Sequence, residues 1–327
     1  MAPGIRAAPI TALFYDTRQN MSHPVSAMLD QLGVPHTFGP TEEYRSTHAT
    51  RLRKEGLQVV DETYSPGQRV QYLLDVLPSM AATAPMALVL DTDVVPLCTP
   101  SELVELRAAI VAREHAPANS VIVSAEKNLW PPYQSFDGTM LSNHHQSPYP
   151  AATENAPLRY INSGVMLGRP IDIWQMYRCM ERRFPHFPEK CPGGHERKSK
   201  NYTFYSRTQS GGNYHGLKLA NGNWGWDQAC FHMYYLEQLA ARLPTECPPL
   251  VLDRRADLAL HMSKIPHAKI SFRSDRRVHF QASRVNVSRP CFLHANGPSK
   301  LWNGPLLRWW WRPSVDLPRG FGNGKRT

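Results

Sequence analysis

The sequence predicts an α/β fold, a mixed and mostly parallel sheet flanked by helices. Short, wholly apolar runs recur along the chain, as at Ala12 to Tyr15, Met86 to Leu90 and Leu250 to Leu252. Uninterrupted runs of that length suit strands buried on both faces. Between them lie longer stretches whose apolar residues fall three or four apart, the spacing of helices that cover such strands. The two patterns alternate, which is the order that builds α/β sheets.

Ala12-Leu13-Phe14-Tyr15 reads as the first strand, closed by a turn at Asp16-Thr17. Ser26 to Leu32 reads as a helix that stops before Gly33-Val34-Pro35. Gln68 to Leu77 places apolar residues at 70, 73, 74 and 77, with Pro66-Gly67 as a start signal for a helix. Met86 to Leu90 is the next strand. Thr99-Pro100-Ser101-Glu102 supplies a cap, a proline at the first helical position and a capping-box acid, so a helix is expected to about Arg113. Ser120 to Ser124 is a strand, and residues 131–156, rich in Pro, Ser, Asn and His, are a loop. Tyr160 to Gly168 is a strand interrupted by Gly164, and Ile171 to Phe184 is a helix. Residues 185–225 show no period, and loops of that length are usually functional or disordered. Asp227 to Arg242 is a helix with Ala229, Met233, Leu236 and Ala240 along one face. Leu250 to Asp253 and Pro290 to His294 are strands, the second ending in a histidine, and residues 317–327 are a tail. With no linker before residue 185, one domain is expected over 8–316, with 185–225 as an inserted loop.

Hydrophobic residues make up 42% and charged residues 20% of the chain, which excludes a disordered polymer. No window approaches the roughly 18 apolar residues of a membrane span. The opening Met1 to Arg6 lacks the charged-then-apolar layout of a signal peptide. The net charge is +10 at pH 7, unevenly spread: Arg254 to Thr327 carries 15 Lys and Arg against 3 Asp and Glu. A basic quarter of this kind suits a phosphate-bearing partner. With Trp309-Trp310-Trp311 as a stacking surface it frames a nucleic-acid-binding alternative, although no nucleic-acid motif accompanies it. Six cysteines, at 98, 179, 191, 230, 247 and 291, form no C-x-x-C pair, which argues against structural zinc; they allow one or two disulfides, but their spacings do not argue for them. The sequons at Asn20, Asn201 and Asn286 permit a secretory location.

The chemistry concentrates at Leu90-Asp91-Thr92-Asp93-Val94. Asp91 and Asp93 stand at the carboxyl end of an apolar strand, where open α/β sheets place their ligands. Two carboxylates there suit a hard divalent cation, and such a cation neutralises a diphosphate. This is the layout of the Asp-x-Asp motif of nucleotide-sugar glycosyltransferases.

Several segments, in order along nearly the whole chain, resemble the glycosyltransferase domain of the procollagen lysyl hydroxylases and its stand-alone relatives. They are Gly67-Gln68-Arg69-Val70, the Asp91–Asp93 strand end, Ser124-Ala125-Glu126 with Trp130-Pro131, Tyr160-Ile161-Asn162-Ser163-Gly164, Asp227-Gln228, Leu252-Asp253 and His294-Ala295-Asn296-Gly297-Pro298-Ser299-Lys300. The last of these is the most specific. The resemblance implies a GT-A type nucleotide-sugar-binding fold, a UDP-glucose or UDP-galactose donor, Mn²⁺ as cofactor, and a glycan or protein hydroxyl as acceptor, such as a glycosylated hydroxylysine of a collagen-like protein. It also implies the lumen of the secretory pathway, while the missing signal-peptide layout leaves a cytoplasmic location open.

Carried over residue by residue, it makes Asp91, Asp93 and His294 the metal ligands and Lys300, after the tight loop at Gly297, a charge on the phosphates. Asp227 is implied near the transferred sugar or acceptor hydroxyl, although a carboxylate opening a helix also serves as a cap. Trp130 is implied as a pocket wall, Asn162 and Ser163 as hydrogen-bond partners of the sugar, Gln68 and Arg69 as contacts to phosphate or ribose, and Thr17 as a contact to uridine. Two departures stand out. The family commonly has Asp-Ser-aromatic-Asp where this chain has only Thr92 between the acids, so the aromatic that would stack on uracil is missing there. The family's run of acids before Gln is reduced to Trp226-Asp227. Both thinnings keep a non-catalytic GT-A relative as a further alternative.

Overall fold

The computed structural model describes residues 9–15, 24–39, 58–59, 66–127, 129, 133–134, 140–141, 149–153, 155–184, 217–218, 227–262, 270–272, 278–282, 285–287, 290–295 and 303–311. In chain order the elements that position the site are β1 Thr11–Tyr15, α1 Pro24–Leu32, β2 His36–Gly39, α2 Pro66–Met80, β3 Ala87–Leu90, β4 Val94–Pro96, α3 Pro100–Arg113, β5 Val121–Glu126, β6 Tyr160–Gly168, α4 Pro170–Arg183, α5 Asp227–Leu239, β7 Leu250–Asp253, β8 Ala259–His261, β9 Phe292–His294 and α6 Asn303–Trp311.

The central sheet has six strands in the order β7-β5-β6-β3-β1-β2. β1 pairs in parallel with β2 and β3, and β7 pairs in parallel with β5. β6 runs antiparallel to both of its neighbours, β3 and β5, and so against the other five. The sheet is thus mixed and mostly parallel, with helices packed on it and on one another (α2 against α4, α5 against β6). This is the α/β arrangement the sequence predicts.

Every residue of β3, β5 and β6 is buried. Burial on both faces explains why β3 and the first half of β5 read as uninterrupted apolar runs. α3 starts where its cap signal places it: the Thr99 N–H donates to Glu102 Oε2 at 2.8 Å, the reciprocal half of a capping box.

A second sheet of three strands, β8-β9-β4, lies beside the first. β8 and β9 are parallel, and β9 and β4 are antiparallel. The short strands β2, β4 and β8 lack a readable period and are not anticipated by the sequence. α6 is also an addition: Trp309 and Trp310 are buried, and the Trp310 indole N–H donates to the Pro96 carbonyl at 2.8 Å. Two of the three tryptophans are therefore core residues, Trp310 packed on β4, and are not free to stack on bases. Within the segment expected as a loop, residues 133–134 pair with 140–141. The insert 185–225 lies outside the described residues apart from Leu217–Lys218, which pairs with Gln58–Val59, and the tail 317–327 lies wholly outside them.

Cysteine pairing settles what the sequence leaves open. Cys98 is bonded to Cys291 and Cys179 to Cys247, and Cys230 is disulfide-bonded as well. Sequence separations of 193 and 68 residues carry no spacing signal, because both contacts are made by the tertiary fold. No helix among the described residues is long and apolar enough to cross a membrane.

Candidate metal centre

The site forms where the two sheets meet. Asp91 follows β3 directly, and its backbone N–H donates to the Gly164 carbonyl on β6 at 2.7 Å. Three residues later the chain enters β4, which is antiparallel to β9 with Val94 opposite His294. The Ala295 N–H donates to the Asp93 carbonyl at 2.9 Å, extending that ladder to the acid itself. This register brings His294 Nε2 to 3.0 Å from Asp93 Oδ1 and 3.6 Å from Asp91 Oδ2. One ligand atom from each of Asp91, Asp93 and His294 lies within 4.8 Å of the others.

Arg69, buried in the first turn of α2, holds Asp91 from behind. Its Nη1 is 2.9 Å from Asp91 Oδ1, and its Nη2 donates to the Ser163 carbonyl at 3.3 Å. One carboxylate oxygen of Asp91 is thereby occupied by the guanidinium, and the other is left toward His294. Arg69 is therefore placed to orient a ligand, beside its expected part in phosphate or ribose contact.

Gly164 makes the convergence possible. The ladder between β5 and β6 slips here, passing from Val123↔Met166 to Ser124↔Asn162, a bulge of the kind that re-aims side chains next to sites. A Cβ on residue 164 would lie 2.2 Å from His294 Cε1 and 2.7 Å from Asp91 Oδ2. Any side chain would occupy the space in which the imidazole and the carboxylate approach each other.

Around the bulge lies a buried polar network. The Asn162 amide donates to Glu126 Oε1 at 3.2 Å, and its oxygen accepts from the Gly164 N–H at 2.8 Å. Gln228, the second residue of α5, donates to Glu126 Oε1 at 2.9 Å and to the Ile161 carbonyl at 3.1 Å. Gln228 Oε1 also faces Ser163 Oγ at 3.5 Å. Glu126 and Gln228 were not singled out as site residues by the sequence reading. Their signal was present in the Ser-Ala-Glu and Asp-Gln segments but pointed to neighbouring residues.

Burial pulls the His294 imidazole down, yet the carboxylates of Asp93, Asp91 and Glu126 more than reverse this, and its pKa stands above the ordinary value. Two carboxylate donors and an imidazole fit a divalent ion of the Mn²⁺ kind better than an oxygen-only preference such as that of Mg²⁺. Behind His294 lies a second histidine, His261 of β8. Burial and then His294 push its pKa well below the ordinary value, with Asp93 opposing.

Of the residues expected at the site, the structure brings together Asp91, Asp93, His294, Arg69, Asn162 and Ser163. Asp227 opens α5 and Gln68 lies in the first turn of α2, but their side chains are outside the described residues, as are Thr17, Trp130, Gly297 and Lys300.

No protein-family model matches the chain, and no curated protein matches it. Among solved structures it is similar to a glycosyltransferase involved in glycosylation of the major capsid of PBCV-1, at 13% identity and a TM-score of 0.33, over 91% of this chain and 98% of that one. It is similar to mouse xyloside xylosyltransferase 1, at 13% identity and a TM-score of 0.39, over 88% and 97% of the two chains. The WbbM bifunctional glycosyltransferase is similar at 10% identity and a TM-score of 0.37, over 92% of this chain and 48% of that one. At such identities and TM-scores these similarities support no statement about activity.

Proposed function

We propose that this chain is a metal-dependent glycosyltransferase of GT-A type that moves a hexose, glucose or galactose, from a UDP-sugar to a hydroxyl acceptor. The observation that carries the reading is the convergence of Asp91, Asp93 and His294 at the carboxyl end of β3, from positions some two hundred residues apart. A cluster of two acids and an imidazole at a strand's carboxyl end is where an α/β sheet holds a ligand, and it is suited to a cation that carries phosphates.

Transfer from a UDP-sugar breaks the bond between the sugar and a diphosphate, and negative charge grows on that leaving group. A divalent cation held by Asp91, Asp93 and His294, Mn²⁺ on this reading, supplies the Lewis acid that stabilises it. Arg69 keeps one oxygen of Asp91 engaged and so fixes the direction of the other. Gly164 keeps the carboxylate and the imidazole close. Lys300, after the loop at Gly297, adds a point charge for the diphosphate. Thr17 and Gln68 are assigned to the uridine side. Asn162 and Ser163 shape the sugar side through the bulge they form, and Trp130 is assigned as its wall. Asp227 is assigned to the acceptor hydroxyl. The acceptor class on this reading is a glycan or protein hydroxyl, with the glycosylated hydroxylysine of a collagen-like protein as its first candidate. The disulfides are in keeping with folding in an oxidising compartment, as the secretory expectation requires.

Hydrolysis of UDP-glucose and UDP-galactose, measured with Mn²⁺ and with EDTA, tests the proposal on wild type and Asp93→Ala. Hydrolysis should require the metal and fall by roughly a hundredfold or more in the variant, the scale of losing a main electrostatic stabiliser. UDP binding without hydrolysis or transfer would favour the non-catalytic relative. Absence of UDP binding to the wild type would end the nucleotide-sugar reading.

A further inference from the structure

We infer that His261 is a fourth protein ligand of the metal centre, so that the ion is held by two carboxylates and two imidazoles. The inference rests on reading Asp91, Asp93 and His294 as that centre.

β8 and β9 are parallel, and His261 stands directly opposite His294 in their register. Residues opposite each other in a ladder present their side chains on the same face of the sheet. The two rings lie 4.7 Å apart between centroids and are inclined at 60°. Two imidazoles bound side by side to one ion, each through a nitrogen about 2.1 Å away, have ring centres about 4.5–5.2 Å apart. The observed separation falls in that span; His261 stands outside the group of ligand atoms within 4.8 Å of one another, so shared coordination requires its ring to turn toward the centre.

His261 is 3% exposed, and among the described residues neither Nδ1 nor Nε2 has a hydrogen-bond partner. An imidazole buried in this state bears the desolvation penalty of each unsatisfied polar group. A ring serving only as packing would be better replaced by an apolar one. A lone pair directed at a cation removes the penalty on one nitrogen, and a neutral imidazole is the form that coordinates. His294 is alike in one respect, since its Nδ1 is also without a partner among the described residues. A second imidazole shifts the preference of the centre away from Mg²⁺ and Ca²⁺ and toward Mn²⁺, Co²⁺ or Zn²⁺.

Pulsed electron paramagnetic resonance of the full chain loaded with one equivalent of Mn²⁺ counts the coordinated imidazole nitrogens directly. Two are expected in the wild type and one in each of His261→Phe and His294→Phe. Calorimetric titration should show Mn²⁺ affinity falling roughly tenfold or more in His261→Phe, at least the loss seen when a supporting group of a metal site is removed. A single coordinated imidazole in the wild type overturns the inference whether or not the variants fold. Two imidazoles that persist in folded His261→Phe overturn it as well. If the wild type binds no Mn²⁺, the metal centre itself fails. If it binds Mn²⁺ through one imidazole, the centre stands and only the part assigned to His261 falls.

Discussion

The six-stranded sheet and the small sheet β8-β9-β4 both bury their strands, but they bury different chemistry. In β3, Ala87 to Leu90 are all apolar, and parallel β1 and antiparallel β6 flank them, so hydrophobic burial alone holds the register. In the small sheet, β8 and β9 each end in a buried histidine, and β4 begins beside an acid. The small sheet also buries Val94, Val95, Ala259, Leu260, Phe292 and Leu293 in the core, but its two histidines contribute little burial energy. It is held by further means as well. The Cys98–Cys291 disulfide joins the segment after β4 to the residue before β9, and the Leu97 N–H donates to the Cys291 carbonyl at 2.8 Å. Its junction with the central sheet is a buried carboxylate: Asp253, closing β7, accepts from the N–H groups of Asp257, Leu258 and Ala259 at 3.0, 2.7 and 3.2 Å. The central sheet is a scaffold, and the small sheet is a bracket that sets the metal ligands.

On that division, damage to the bracket is felt at the metal, whereas damage to the apolar interior of the scaffold, away from the bulge at Gly164, is felt only as stability. The largest effect is expected from Cys98→Ala together with Cys291→Ala. Loss of a disulfide closing so long a loop should cost about 2–5 kcal/mol in denaturant unfolding and weaken Mn²⁺ binding at the same time. Val89→Ala, in the scaffold, should cost about 1–3 kcal/mol and leave the Mn²⁺ affinity of the folded protein unchanged. Equal losses of affinity in the two proteins would abolish the distinction.

The junction at Asp253 predicts a pH dependence. Burial, reinforced by Asp257, outweighs the three backbone donors and raises its carboxyl pKa to about 7. An unfolded aspartate titrates near 3.9, so between about pH 4 and pH 7 the native state holds the extra proton and stability falls as pH rises. The drop attributable to this group should be a few kcal/mol at most, at about 1.4 kcal/mol per pK unit. Urea unfolding from pH 4 to pH 7 should show that decline in the wild type, and Asp253→Asn should flatten it. An unchanged slope in the variant would remove Asp253 as its source.

A smaller and more local change tests the convergence itself. Gly164→Ala puts a methyl group against His294 and Asp91, and overpacking of this kind costs about 1–3 kcal/mol. Mn²⁺ affinity should fall as the two ligands are forced apart, while α-helix content by circular dichroism stays the same. Unaltered affinity would mean that the site can open without loss and that glycine is not required there.

Much of the scaffold was legible in the sequence. The apolar runs of β1, β3 and β7 and the capped start of α3 follow from local pattern, because burial on two faces and a helix terminus each leave a signature within a few residues. The acids at 91 and 93 could be read as a metal site because they close such a strand. His261 went unread although Leu260-His261 repeats the pattern of Leu293-His294, an apolar run ending in a histidine. Read singly, a histidine after an apolar run does not distinguish a ligand from a core residue.

The sequence by itself determined the alternation of strands and helices, the position of Asp91 and Asp93 at a strand's carboxyl end, and His294 as their candidate partner. Only the tertiary structure decided that these three residues meet, that Arg69 turns Asp91, that Gly164 yields the space, and that Cys98 is joined to Cys291. The physical reason is range. Periodicity and capping are set by neighbours along the chain, whereas the register of β4 against β9 and the bulge in β6 depend on packing between segments far apart in sequence.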